Sequence, residues 1–121
     1  MAEGEKILVV EDDDDIRGAI AAYLEGAGYR VVEAEDGADA LRLLRAADGF
    51  CLILLDLFMP VMNGWAFRSE QMSDPDLARI PVVVLSADVG TPQKAAQIGA
   101  AGWMTKPFSF ERLLQFVGQH C

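Results

Sequence analysis

Asp56 closes the run CLILLDL, a single carboxylate at the end of an otherwise apolar stretch. Glu11 and Asp12 follow KILVV and open a block of acids that continues through Asp15. Ser86 ends PVVVLS, and Lys106 follows GWMT. An acid pair, a lone acid, a hydroxyl and a lysine thus each stand directly behind an apolar segment. Three carboxylates gathered in one crevice cannot all stay ionised without a counter-charge. Hard oxygen ligands of this kind suit Mg²⁺, which keeps several waters and recruits phosphate oxygens. A carboxylate held rigidly at Asp56 could attack a phosphoryl group and form an aspartyl-phosphate. Lys106 and the cation would neutralise charge on the equatorial oxygens, and the Ser86 hydroxyl would donate to one of them. All of this requires the five residues to share one edge of one fold.

Periodicity supplies such a fold. KILVV, YRVVEA, CLILLDL, PVVVLSA and AGWMT read as strands. Between and after them lie helical stretches. Ile16, Ala19, Ile20, Tyr23 and Leu24 share a face of the first, and Ala40, Leu41, Leu44 and Ala47 a face of the second. GWAFRSEQM is a third, and TPQKAAQIG a short fourth with Thr91 as N-cap, Pro92 at its first position and Gly99 as stop. In the last, SFERLLQFVGQ, Phe110, Leu113, Leu114 and Val117 point inward. Strands that each precede a helix imply an α/β domain, a doubly wound five-stranded parallel sheet with helices on both faces. Ligands of such sheets bind beyond the carboxyl ends of the strands, at the switch in strand order. That edge is where Glu11, Asp12, Asp56, Ser86 and Lys106 fall. Asp13, Asp14 and Asp15 fall at the start of the first helix, where free N–H groups and the helix dipole favour negative charge.

The chain of 121 residues is 52% hydrophobic with a net charge of -9, which suits a single globular domain over residues 1–121. An acidic chain argues against a nucleic-acid surface. MAEGEK has no apolar leader region, and no apolar run is long enough to span a membrane, so the expectation is a soluble cytoplasmic protein. Cys51 and Cys121 form no metal spacing and are read as inert thiols in a reducing compartment, with Cys121 exposed.

ILVVEDD, LILLDLFMPVMNG, VVVLSA and GAAGWMTKPF, in that order, resemble the receiver domain of two-component response regulators over essentially the whole chain. The resemblance implies the flavodoxin-like receiver fold and gives each residue a role. Asp56 would be the phospho-acceptor. Glu11 and Asp12 would hold Mg²⁺ with Asp56 and the Phe58 backbone carbonyl. Ser86 would swing toward the phosphoryl group, Lys106 would pair with it, and Trp103 would be the aromatic switch residue. A cis Lys106–Pro107 bond is implied as well. The partners implied are a histidine kinase or histidine phosphotransfer protein upstream and a protein target downstream.

Each residue also has a plainer reading. Ser86 alone is more often a local turn or cap residue, Trp103 alone a core or surface aromatic, and Gly64 and Gly99 turn and stop residues. A haloacid-dehalogenase-type phosphatase also uses a strand-end Asp, Ser/Thr, Lys and Mg²⁺. It needs a second Asp two residues after the nucleophile, where this chain has Phe58. A receiver-shaped scaffold that is never phosphorylated would lack the acceptor, the acid pair or the lysine, and all are present. Three departures from the family pattern stand out: Cys51 where an acid is frequent, a short segment between Ser86 and Lys106, and the bulky Phe58.

Overall fold

The computed structural model describes residues 5–87 and 90–121. The start of the MAEGEK segment (residues 1–4) and Asp88 and Val89 lie outside them. Five parallel strands, β1 (Lys6–Val10), β2 (Arg30–Ala34), β3 (Phe50–Asp56), β4 (Val82–Ser86) and β5 (Gly102–Thr105), lie in the order β2-β1-β3-β4-β5. They alternate with α1 (Asp14–Gly26), α2 (Gly37–Ala46), α3 (Gly64–Ser73), α4 (Thr91–Gln97) and α5 (Phe110–His120). The order reverses direction between β1 and β3, and that switch point opens a crevice above the two central strands.

Side chains on a strand alternate between faces, so each central strand feeds two cores. Leu8, Val10, Ile53, Leu55 and Val84 pack with Leu41 and Leu44 of α2 and Phe67 of α3. Ile7, Val9, Leu52, Leu54 and Leu85 pack on the other side with Ile20 and Leu24 of α1 and Leu113 and Val117 of α5. Every residue of β4 is buried, and β3 is buried from Leu52 to Asp56. The continuous apolar runs therefore mark strands covered on both sides.

Four of the helices begin on a polar side chain. Asp13 accepts from the N–H groups of Asp15 and Ile16, Asp36 from Asp39, Asn63 from Ala66, and Ser109 from Arg112. Each satisfies donors that the first turn leaves open. The fourth helix is the exception and corrects the expected cap. Its N-cap is Gly90 in the left-handed region (φ 86°), and Thr91 lies inside the first turn, buried. Gly99 does terminate that segment, at φ 65°.

Three residues expected to face inward do not. Ala19 and Ala47 are exposed; Ala21 takes the inner place on α1, and Ala47 lies beyond the end of α2. Phe110 is exposed at the start of α5, where its ring stacks on Tyr23 with centroids 4.8 Å apart. Isolated helical periodicity cannot tell a first-turn residue at the rim from one over the core.

The cysteines overturn their reading as independent thiols. Cys51 and Cys121 are joined in a disulfide across a sequence separation of 70, with Cα atoms 5.5 Å apart, and among the described residues no cysteine is free. Cys121 is half-buried rather than exposed.

Arg68 of α3 is a buried cation with no carboxylate at hand among the described residues. Its guanidinium donates to the carbonyls of Ile98 (2.8 Å) and Gly99 (3.0 Å) and to Gln71 Oε1 (2.8 Å). Gln71, fully buried, passes the link on to the carbonyls of Leu77 and Ile80. Burial lowers the Arg68 pKa from the usual arginine value. Nevertheless, the fork of donors is matched to acceptors at the end of α4, where the helix dipole favours positive charge.

Candidate functional site

Each site residue is positioned by the end of a strand. Glu11 follows β1, and its N–H donates to the Ala34 carbonyl at 3.1 Å, so the turn after β1 is still tied to β2. Asp56 ends β3 in register with Leu85, and Ser86, the next residue of β4, is in register with Thr105. The Lys106 N–H donates to the Ser86 carbonyl at 2.8 Å, which carries the β4–β5 pairing one step past the sheet. Ser86 is wholly buried there.

The side chains then converge. Glu11, Asp12 and Asp56 each offer a carboxylate oxygen within 4.8 Å of the others. Glu11 and Asp56 are buried, whereas Asp12 is open to solvent. The Lys106 ammonium donates to Glu11 Oε1 and lies 3.5 Å from Asp56 Oδ2. Asp56 Oδ1 accepts from the Phe58 N–H at 3.2 Å, which fixes the rotation of the carboxylate. The Lys106–Pro107 peptide is cis.

Charge balance at the site is visible in two groups. Partial burial, and behind it the adjacent Glu11 carboxylate, raise the Asp12 pKa. Burial works against the Lys106 ammonium, yet the Glu11 and Asp56 carboxylates outweigh it and its pKa rises. One lysine shared among three carboxylates is an incomplete neutralisation, and hard oxygen donors of this number and spacing fit Mg²⁺.

Around the centre lie contacts that sequence patterns did not single out. Arg17 donates from Nη1 to the Glu11 carbonyl at 2.7 Å and also reaches Asp14 and Glu33. Those acids raise its pKa against the effect of burial. The spacing of Asp14 and Arg17, three apart on a helix, was the available signal. The Phe58 ring, half exposed, meets Trp65 edge-on with centroids 5.3 Å apart, and the Lys94 ammonium lies 5.4 Å from its centroid. Val61 has φ 67° while 85% exposed, an uncommon backbone state for a β-branched residue. Gly64 is more than a turn residue. A Cβ there would come within 2.8 Å of the Leu57 backbone, so α3 can start this close to the acceptor strand only from glycine.

Trp103 is the expected site residue that the structure leaves outside the cluster. It lies in β5, in register with Val84, and is 37% exposed.

A doubly wound sheet that gathers carboxylates, a lysine and a serine at the carboxyl edge of its strands has a polar site at its switch point, where such sheets bind ligands. Residues 7–118 match the response regulator receiver domain, and the chain belongs to that family. It is 38% identical over 110 residues to the uncharacterized transcriptional regulatory protein YrkP of Bacillus subtilis, covering 89% of this chain and 46% of that protein. The chain thus spans about half the length of the curated relatives it matches. Chemotaxis protein CheY4 of Vibrio cholerae superposes with a TM-score of 0.87 at 33% identity, covering 97% of this chain and 98% of that one. The receiver domain of sensor histidine kinase PA1611 from Pseudomonas aeruginosa, described with a magnesium ion coordinated in the active site cleft, superposes with a TM-score of 0.86 at 29% identity over 95% of each chain. Among the described residues no helix is long and apolar enough to cross a membrane.

Proposed function

We propose that Asp56 accepts a phosphoryl group from the phosphohistidine of a histidine kinase or histidine phosphotransfer protein, and that the modified domain changes its binding to a downstream protein in the cytoplasm. The observation that carries this reading is the company of Asp56. It is buried at the end of the central strand with a lysine at 3.5 Å and two more carboxylates within reach. Its carboxylate oxygen attacks phosphorus as the phosphorus–nitrogen bond breaks, and the donor imidazole leaves with the electron pair. Lys106 follows the charge from the carboxylate to a phosphoryl oxygen, and the Ser86 hydroxyl donates to another. Glu11, Asp12, Asp56 and the Phe58 carbonyl would hold Mg²⁺, which when bound offsets charge on the phosphoryl oxygens. The same groups then serve hydrolysis of the acyl phosphate by water, with the Phe58 ring at the mouth of the site slowing its approach. Phosphorylation replaces the single carboxylate charge with about two on the acyl phosphate and adds acceptors, enough to draw Ser86 inward. Trp103, still outside, then moves toward the space beside β5.

The test is intact-mass measurement after incubation with acetyl phosphate and Mg²⁺. Wild type should gain one phosphoryl group and Asp56→Asn none. An adduct that persists on the variant would remove Asp56 from the acceptor role.

A further inference from the structure

Along β3 strict alternation would place Cys51 with Ile53 and Leu55, facing α2 and α3. It does not lie there. Lys6 is in register with Phe50 but Ile7 with Leu52, so Cys51 is an extra residue in the pairing with β1. The slip turns Cys51 onto the side of Leu52, among the residues packed under α1 and α5. Re-aiming one side chain is what such an irregularity does. On α5, Leu113, Val117 and Cys121 are spaced by four and share the inward stripe. Each element therefore directs its cysteine at the other.

We propose that Cys51 and Cys121 form a thiol–disulfide exchange site for small disulfides of the glutathione type, and that closing the bond locks the last turn of α5 to β3. Cys51 and Cys121 are both half-buried, so a small disulfide needs to reach only a partly covered sulfur. The Cys51 thiol loses its proton to solvent and its thiolate attacks one sulfur of the disulfide, expelling one glutathione thiolate. The Cys121 thiolate then attacks the Cys51 sulfur of the mixed disulfide and expels the second. The protein is oxidised to the internal disulfide as the small disulfide is reduced to two thiols. In the disulfide form the Cys51 sulfur lies 3.3 Å from the Lys6 carbonyl, which would offer a weak acceptor to its S–H once the bond is reduced.

The test starts from protein reduced with dithiothreitol, freed of reductant and exposed to oxidised glutathione. Wild type should lose two hydrogens in intact mass and carry no adduct. Cys121→Ser should accumulate one glutathione on Cys51, and Cys51→Ser one on Cys121. Hydrogen exchange of residues 118–121 should be slower in oxidised than in reduced wild type. Wild type that keeps free thiols, stops at the mixed adduct or links into dimers overturns the proposal. Equal exchange of α5 in the two states, or a single-cysteine variant that takes up no glutathione, does so as well.

Discussion

At its carboxyl end β3 delivers Asp56 into a crowd of like charge, and at its amino end it delivers Cys51 to a covalent bond with the last residue of the chain. The two are five residues apart on one strand, about 16 Å at the usual rise. The upper end is held by electrostatics that a ligand can change: one ammonium serves Glu11 and Asp56, and Asp12 stands open. The lower end is fixed by a covalent bond that answers to redox state rather than to a bound cation. The two ends therefore answer to different chemical signals, one to charge in the crevice and the other to redox state.

The largest effect should come from cutting the lower end. Replacing both cysteines by alanine frees a loop of 70 residues in the unfolded chain, worth about 4 kcal/mol by chain entropy. Urea unfolding of the oxidised protein against the double variant measures it. Phosphoryl uptake from acetyl phosphate should be unchanged, and a parallel loss of uptake would show that the two ends are coupled.

Next comes Lys106→Met, which leaves the buried Glu11 and Asp56 carboxylates without their cation. Removing one partner of a buried pair costs ~3 kcal/mol, and Mg²⁺ should return part of it. Because the folded pKa of Lys106 is raised, its contribution is fully present below the unfolded lysine value of about 10.4. It is lost as pH rises through the folded value. The gap between wild type and variant should therefore hold at neutral pH and close only in strong alkali, as followed by urea unfolding across pH.

A smaller effect is expected in the loop between Asp56 and α3. Val61→Asn should stabilise by about 1 kcal/mol, since asparagine tolerates the left-handed region and almost none of the valine is buried. Thermal unfolding reads it. A lower melting temperature would mean that the valine side chain earns its place through packing.

The smallest effect belongs to Asp12. Its folded pKa is raised, so it favours the folded state at acid pH and loses that contribution as pH rises through the folded value. At neutral pH without metal, Asp12→Asn should raise the melting temperature slightly and blunt the further rise caused by Mg²⁺. An undiminished Mg²⁺ shift would take Asp12 out of the metal site.

Much of the upper end was legible in the sequence, because strand-end chemistry follows from where apolar runs stop. Asp56, Ser86 and Lys106 each follow such a run, and the parallel topology brings them together. The acid block divided as its positions suggest, into Glu11 and Asp12 at the site and Asp13 to Asp15 at the helix start. The lower end was opaque for a physical reason. Cys51 reaches Cys121 only because the register slips by one residue, and a slip between two apolar strands leaves no mark in their hydrophobic pattern. Thr91 misled for a related reason. A side chain good at capping was read as the cap, while Gly90, which supplies only a left-handed turn, performed that task.

Arg68 has a mechanical consequence. Its hydrogen bonds pin the residues just after α4 to α3, so that end of the short helix is a pivot and the rest of it is a lever arm. With seven residues the arm is about 10 Å long, and a tilt of roughly 10° about the pivot carries its far end about 2 Å. On the proposed function, a small rearrangement beside Ser86 would thereby be geared up into a displacement that a docked protein could feel, while α3 stays still.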